Sequence, residues 1–257
     1  FSKYAAAIPA KKPKVIKQEG NRAVFEIKTC YPGYGVNIGN SLRRIILGSL
    51  PGAAITAVKI KGVTHEFSTI PYVLEDVVQI ILNLKEIRIK LYSEEPITVF
   101  LKAKGEKEVM ASDIETTSDV EIINKNAHIA TLTDKKAELE MEIRLEKGRG
   151  YVSVEQRVKE KLEIGALAVD AIFTPVRRVS YEVENMRVGD KTNHNRLRIS
   201  IETDGTLSPR EALSRSIEIM ISQLKAIIDF KEPAPTEKEV GVPASDDSHR
   251  NVGKGDN

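Results

Sequence analysis

The chain has no tryptophan, one cysteine and only four histidines in 257 residues. A lone cysteine, Cys30, excludes an internal disulfide and suits a reducing compartment. No apolar run approaches the roughly 20 residues that a membrane helix needs. Excess charge is missing too. Basic residues number 39 and acidic ones 37, a net of +2, so the chain as a whole is no electrostatic glove for nucleic acid. The opening "FSKYAAAIPAKK" lacks the apolar core of a signal peptide, and its first residue is Phe1 rather than Met, as in a chain whose start is missing.

Catalytic signatures are equally scarce. No G-x-x-x-x-G-K-[ST] loop occurs. In "YPGYGVNIGNSLRR", Gly33, Gly35 and Gly39 are spaced one residue too long for the G-x-G-x-x-G dinucleotide fingerprint. The strand before them carries Glu26 and Lys28, unlike the buried parallel strand of such a core. His65, His128, His194 and His249 lack partners at zinc-site spacing, and His194 falls in "DKTNHNR", which reads as a polar loop. Cys30 has no activating neighbour. No nucleophile, base and acid assemble. The three glycines therefore read as a tight turn and a close approach at a helix start.

What is present is 41% hydrophobic residues, enough for a core in one large domain or two small ones. "NRAVFEIK" alternates Ala23, Phe25 and Ile27 inward, a half-buried strand. A helix is expected from about Asn37 to Leu50, stopped by Pro51 and Gly52. "AVKIKGVTHEF" reads as a hairpin turning at Lys61 and Gly62. "YVLEDVVQIILNL" places Leu74, Val77, Val78, Ile81 and Leu84 on one helical face, and Ile87, Ile89 and Leu91 alternate after it. "RRVSYEVENMRV" and "NRLRISIETDGTLS" read as an antiparallel pair. Charged antiparallel strands with few helices between them argue for an α+β fold.

The last helix has the clearest start. Ser208 as N-cap, Pro209 at the first helical position and Glu211 form a capping box. Leu213, Ile217, Met220, Ile221, Leu224, Ile227 and Ile228 follow at steps of three and four. This stripe covers either its own sheet or a second copy of itself. On the opening helix Ile38, Leu42, Ile45, Ile46 and Ser49 share the core or dimer side, with Arg43 and Arg44 opposite and Leu47 between them. An apolar residue beside arginines is a common surface feature and also an interface anchor. Lys11, Lys12, Lys14 and Lys17 could grip phosphate, but the N-terminal stretch reads better as a solvated arm. Residues 231–257 are nearly devoid of apolar groups and read as a disordered linker or tail.

"IGNSLRRIILGSLPGAAITAVKIKGVTHEFSTI" carries a G-N-x-L-R-R run ending in Pro51 and Gly52, then His65, Glu66, Phe67, Ser68 and Thr69. "EDVVQIILNLK", "SDVEIINKNAHIATL", "EKGRGYV", "VDAIFTPVRRVSYEVE" and "ETDGTLSPREAL" follow in order. Over about residues 15 to 230 the chain resembles the alpha subunit of bacterial-type DNA-directed RNA polymerase. The resemblance implies a discontinuous dimerisation subdomain, residues 1–52 and 175–230, with a β-rich subdomain inserted at 53–174. It implies a homodimer that scaffolds the beta and beta-prime subunits. The chain would be a subunit of a nucleotidyltransferase with no catalytic residues or cofactor of its own, the catalytic magnesium lying in beta-prime.

By the same resemblance, Arg44 contacts the beta subunit, with Arg43 and Leu47 beside it. Lys85, Asp170 and Val176 face beta-prime. Ile38, Leu42, Ile45, Leu213, Ile217, Met220, Leu224 and Ile228 serve dimerisation. DNA is met only through the assembled enzyme, and no membrane is involved. The expected location is the cytoplasm, at the nucleoid through the holoenzyme, or the plastid stroma in an organellar chain. Many members continue into a small DNA-binding domain, whereas this chain stops in linker-like sequence at Asn257, so promoter-element binding is not expected of it. "VEQRVKEKLEIG" departs from the acidic loop common there. Two other readings stay open: an adaptor subunit of the archaeal or eukaryotic type working as a heterodimer, and an enzyme with an unrecognised site.

Overall fold

The structure, a computed structural model, describes residues 12–157, 163 and 165–228. In chain order the elements begin with β1 (Lys14–Glu19), β2 (Arg22–Cys30), α1 (Tyr34–Gly48), β3 (Pro51–Ile60) and α2 (Val77–Lys85). Then come β4 (Ile89–Leu91), β5 (Ile97–Lys104), β6 (Lys107–Met110), β7 (Ile114–Glu115), β8 (Val120–Ile122), β9 (His128–Leu132) and β10 (Glu138–Arg149). The chain finishes with β11 (Tyr151–Val152), β12 (Ala166–Ala168), β13 (Ala171–Ile172), β14 (Val176–Val188), β15 (Lys191–Thr203) and α3 (Pro209–Ile228). The paired strands are antiparallel, and the fold is α+β.

One sheet has the order β1-β2-β15-β14 and joins the two ends of the described chain. Ala23, Phe25 and Ile27 point into its core, as their alternation predicts. Glu26, on the other face, is ringed by cations: Lys28 at 3.1 Å, and Arg196 and Arg198 each at 3.6 Å. The β14–β15 pair forms as read, turning at Gly189, φ 60°. His194 lies inside β15 and is buried, not in a polar loop, because the strands extend further toward the turn than their apolar residues indicate. Lys14 and Lys17 belong to β1, an exposed edge strand rather than a free arm. Lys11, His249 and residues 231–257 lie outside the described residues.

A second sheet has the order β12-β3-β10-β5-β7. Gly62, φ 80°, does turn the chain, but no return strand follows. Instead β3 pairs with the distant β10, whose Leu139, Met141, Ile143 and Leu145 all point into a buried layer. A long apolar face outcompetes the nearer polar segment "VTHEF". On α2 the buried residues are Val77, Ile80 and Leu84, with Val78 and Ile81 half-buried. Asp76 caps the helix through the Gln79 N–H at 2.7 Å, so Leu74 falls before the first turn and is 72% exposed.

Two separate apolar clusters result. The first surrounds the second sheet and α2, built from residues between Ile55 and Val169. The other lies between the first sheet and helices α1 and α3, from Ala23 to Leu50 and Val176 to Leu213. Among the described residues, no helix is long and apolar enough to cross a membrane.

Candidate assembly surface

Helix α1 begins one turn earlier than its apolar stripe suggests. Gly33 adopts φ 84° at the N-cap, a left-handed conformation that glycine enters without steric cost. The Asn195 side chain, reaching over from β15, accepts hydrogen bonds from the N–H groups of Gly33 at 2.9 Å and Gly35 at 3.4 Å. The chain's own carboxamide thus occupies the helix N-terminus where a phosphate would have to sit. Asn195 carries no sequence signal for this role, since it lies 162 residues away from Gly33. Gly39 is needed for close approach: a Cβ there would stand 2.6 Å from the Tyr181 ring. The helix ends at Gly48, and Pro51 and Gly52 already belong to β3.

Packed this way, α1 buries Leu42 and Ile46 and half-buries Ile38 and Ile45. Arg43 and Arg44 are exposed. Leu47 is not left standing between them: it is half-buried against the core of the first sheet.

Helix α3 starts with the capping box read from "SPRE". The Ser208 N–H donates to Glu211 Oε2 at 3.1 Å, and the Glu211 N–H donates to Ser208 Oγ at 3.2 Å. Its first half packs on the sheet through Ala212, Leu213 and Ser216, with Ile217 and Met220 half-buried. Ala212 and Ser216 escaped the apolar pattern because one is small and the other polar. Ser216 resolves its burial by donating to the Ala212 carbonyl at 2.7 Å. Beyond Met220 the stripe runs off the core. Ile221 is 45% exposed, Leu224 54%, Ile227 69% and Ile228 74%. Leu42 and Leu213 are therefore core residues of the single chain, whereas Leu224 and Ile228 are free to meet something else.

Lys85 and Asp170, far apart in sequence, form an ion pair at 3.6 Å. Asp170 also accepts from the Val154 N–H at 2.9 Å. That N–H, with Lys85 adding, holds its carboxyl below the ordinary value. Val176 does not join them. It is buried in the core of the first sheet and offers a partner no side-chain surface.

The strongest constellation of titratable groups lies elsewhere. His128 Nε2 stands 2.8 Å from buried Glu75 and Nδ1 3.1 Å from Glu108. Glu75 also accepts from the Thr131 N–H and hydroxyl. Burial works to raise the Glu75 carboxyl, but these hydrogen bonds outweigh it and the value ends below the ordinary one. The group ties the lead into α2 to β6 and β9, and places no nucleophile beside the imidazole. Burial pushes the Cys30 thiol up, away from thiolate chemistry. Among the described residues, no group of three or more His, Cys, Asp or Glu side chains could hold a metal ion.

The family model described as the RNA polymerase Rpb3/RpoA insert domain matches residues 58–174. The DNA-directed RNA polymerase subunit alpha of Symbiobacterium thermophilum is 47% identical over 249 residues, covering 95% of this chain and 78% of that protein. Its counterpart in Roseiflexus sp. is 44% identical, covering 91% and 73%, and that of Alkaliphilus oremlandii 47%, covering 95% and 78%. The chain belongs to the family of DNA-directed RNA polymerase alpha subunits.

Proposed function

We propose that the chain is a non-catalytic assembly subunit of RNA polymerase, working as a homodimer on which the beta and beta-prime subunits gather. The observation that carries this reading is the stripe of α3, a helix in contact with α1, whose last turns expose Leu224, Ile227 and Ile228. Such an apolar ridge is costly to leave in water, and a second copy of the same ridge covers it symmetrically. The proposed dimerisation subdomain comprises residues 1–52 and 175–230, with 53–174 as the insert. Ile38, Ile45, Ile217 and Met220 are half-buried, which leaves part of each side chain for the second copy. The bacterial alpha subunits among the relatives favour this type over a heterodimeric adaptor.

On this reading Arg44, exposed on α1 with Arg43, anchors the beta subunit through fixed guanidinium donors that lysine cannot copy. The Lys85–Asp170 pair sits in the proposed beta-prime surface. Catalytic magnesium and nucleotide belong to the other subunits. The test is co-purification. Arg44→Ala leaves a folded dimer, as its exposure implies, and weakens capture of the beta subunit by about tenfold or more. Capture equal to that of the unaltered chain would count against the assignment.

A further inference from the structure

A cleft of about 720 Å³ opens where the two sheets adjoin. One wall is Leu207, Glu211 and Arg215, from the start of α3 and the turn before it. Facing them are Lys90, Tyr92 and Arg149, and the floor includes Pro51, Leu91 and Pro175. Both acidic side chains of the lining are already engaged. Glu94 pairs with Lys147 at 2.6 Å. Glu211 accepts from the Ser208 N–H at 3.1 Å and the Ser208 hydroxyl at 2.7 Å. The cations are less committed. Among the described residues, Arg149, Arg215 and Lys90 form no salt bridge; the Lys90 ammonium stands 5.2 Å over the Tyr92 ring, and it and Arg215 help hold the Glu211 carboxyl below its ordinary value, after the Ser208 hydrogen bonds. Tyr92 itself is 53% exposed.

We propose that this cleft docks an extended acidic segment of a larger polymerase subunit. Its carboxylates meet Arg149, Arg215 and Lys90, and an apolar side chain lies on the floor against Tyr92. Opposed charge around an apolar seat sets register as well as affinity. A free phosphate fits less well, because the apolar floor gives it nothing to bind. The occupant bridges elements of both clusters, so it also fixes how the two sheets sit against each other. The inference rests on the assembly reading above.

The test uses the assembled polymerase. Tyr92 is replaced by the photoreactive p-benzoylphenylalanine, the complex is irradiated, and the crosslinked peptide is sequenced by mass spectrometry. A crosslink to a segment rich in Asp and Glu in another subunit is expected. Arg149→Glu with Arg215→Glu should lower its yield by about tenfold, and raising the salt to roughly 0.5 M should lower it as well, as for a screened charge contact. Arg149→Gln with Arg215→Gln gives a smaller drop and serves if the reversal impairs folding. An intact complex without a crosslink would overturn the proposal. So would a crosslink to a segment without carboxylates or to RNA, or a yield that neither pair of substitutions changes. Failure of the assembly reading looks different: no complex forms even with the unaltered chain.

Discussion

The two apolar clusters are built from similar residues but finished differently. Around the second sheet, Val58, Ile80, Leu101, Ile129 and Ile143 are fully buried, and the strands of β3, β5 and β10 interlock with α2 into a closed core. Around the first sheet, Leu42, Ile46 and Leu197 are equally buried, yet α3, which joins this core through Ala212 and Leu213, carries its stripe on past it into solvent. A closed core is complete in one chain. An apolar stripe that outruns its sheet leaves Leu224, Ile227 and Ile228 exposed in the single chain. The contrast shows that amphipathic periodicity reports burial somewhere, while tertiary structure says whether that burial happens within the chain.

Leu224→Asp with Ile228→Asp would break the contrast most sharply. Each places a carboxylate in the proposed dimer contact, at a cost of several kcal/mol. Both side chains are exposed in the single chain, so light scattering should report folded monomers; a surviving dimer would place the contact elsewhere. Ile143→Ala is the converse. It empties space in the closed cluster and should cost about 2–5 kcal/mol in urea unfolding while the oligomeric state stays the same.

Gly39→Ala sharpens the description of the open cluster. Alanine favours a helix over glycine by up to about 1 kcal/mol. Here, however, the added methyl meets the Tyr181 ring at 2.6 Å and Leu197 at 3.0 Å. Overpacking should win, with a net loss of about 1–2 kcal/mol. A gain would mean that Tyr181 swings aside and the α1–sheet spacing is slack.

The smallest effect concerns pH in the closed cluster. The Glu75 carboxyl lies below its ordinary value of 4.5 in the folded chain. Its contribution is therefore present above that value and is lost as pH falls through the folded one. Glu75→Gln should cost about 1 kcal/mol near neutrality, and the gap from the unaltered chain should close in urea unfolding below pH 4.5. A gap independent of pH would mean that packing, not charge, is what Glu75 supplies.

Much of this molecule was readable from local signals. Ala23, Phe25 and Ile27 announced β2 by alternation, and Ser208, Pro209 and Glu211 marked the start of α3 to the residue. The β14–β15 hairpin followed from two adjoining alternating segments. The misreadings share one cause. The Lys61–Gly62 turn reads as opening a hairpin because the next segment is the nearest candidate, whereas the partner of β3 is β10, with Ile60 opposite Met141. Leu74 falls off the helical face and Ile80 joins it because the Asp76 cap sets the helix start at Val77. Leu47 reads as surface on the strength of its arginine neighbours, Val176 is placed at a partner contact by the family resemblance alone although it is buried, and Asn195 has no local signal.

By itself the sequence determined strands such as β2, β14 and β15, the capped start of α3 and its apolar stripe, and through its ordered motifs the polymerase alpha family. Those properties depend on steps of two, three or four residues and on short capping patterns, all local to the chain. Only the tertiary structure decided that Asn195 caps α1, that Lys85 reaches Asp170, and that the α3 stripe is core at Leu213 and open surface at Leu224. These depend on which distant segments come to lie side by side, a matter settled by the burial of whole faces together rather than by any one segment's pattern.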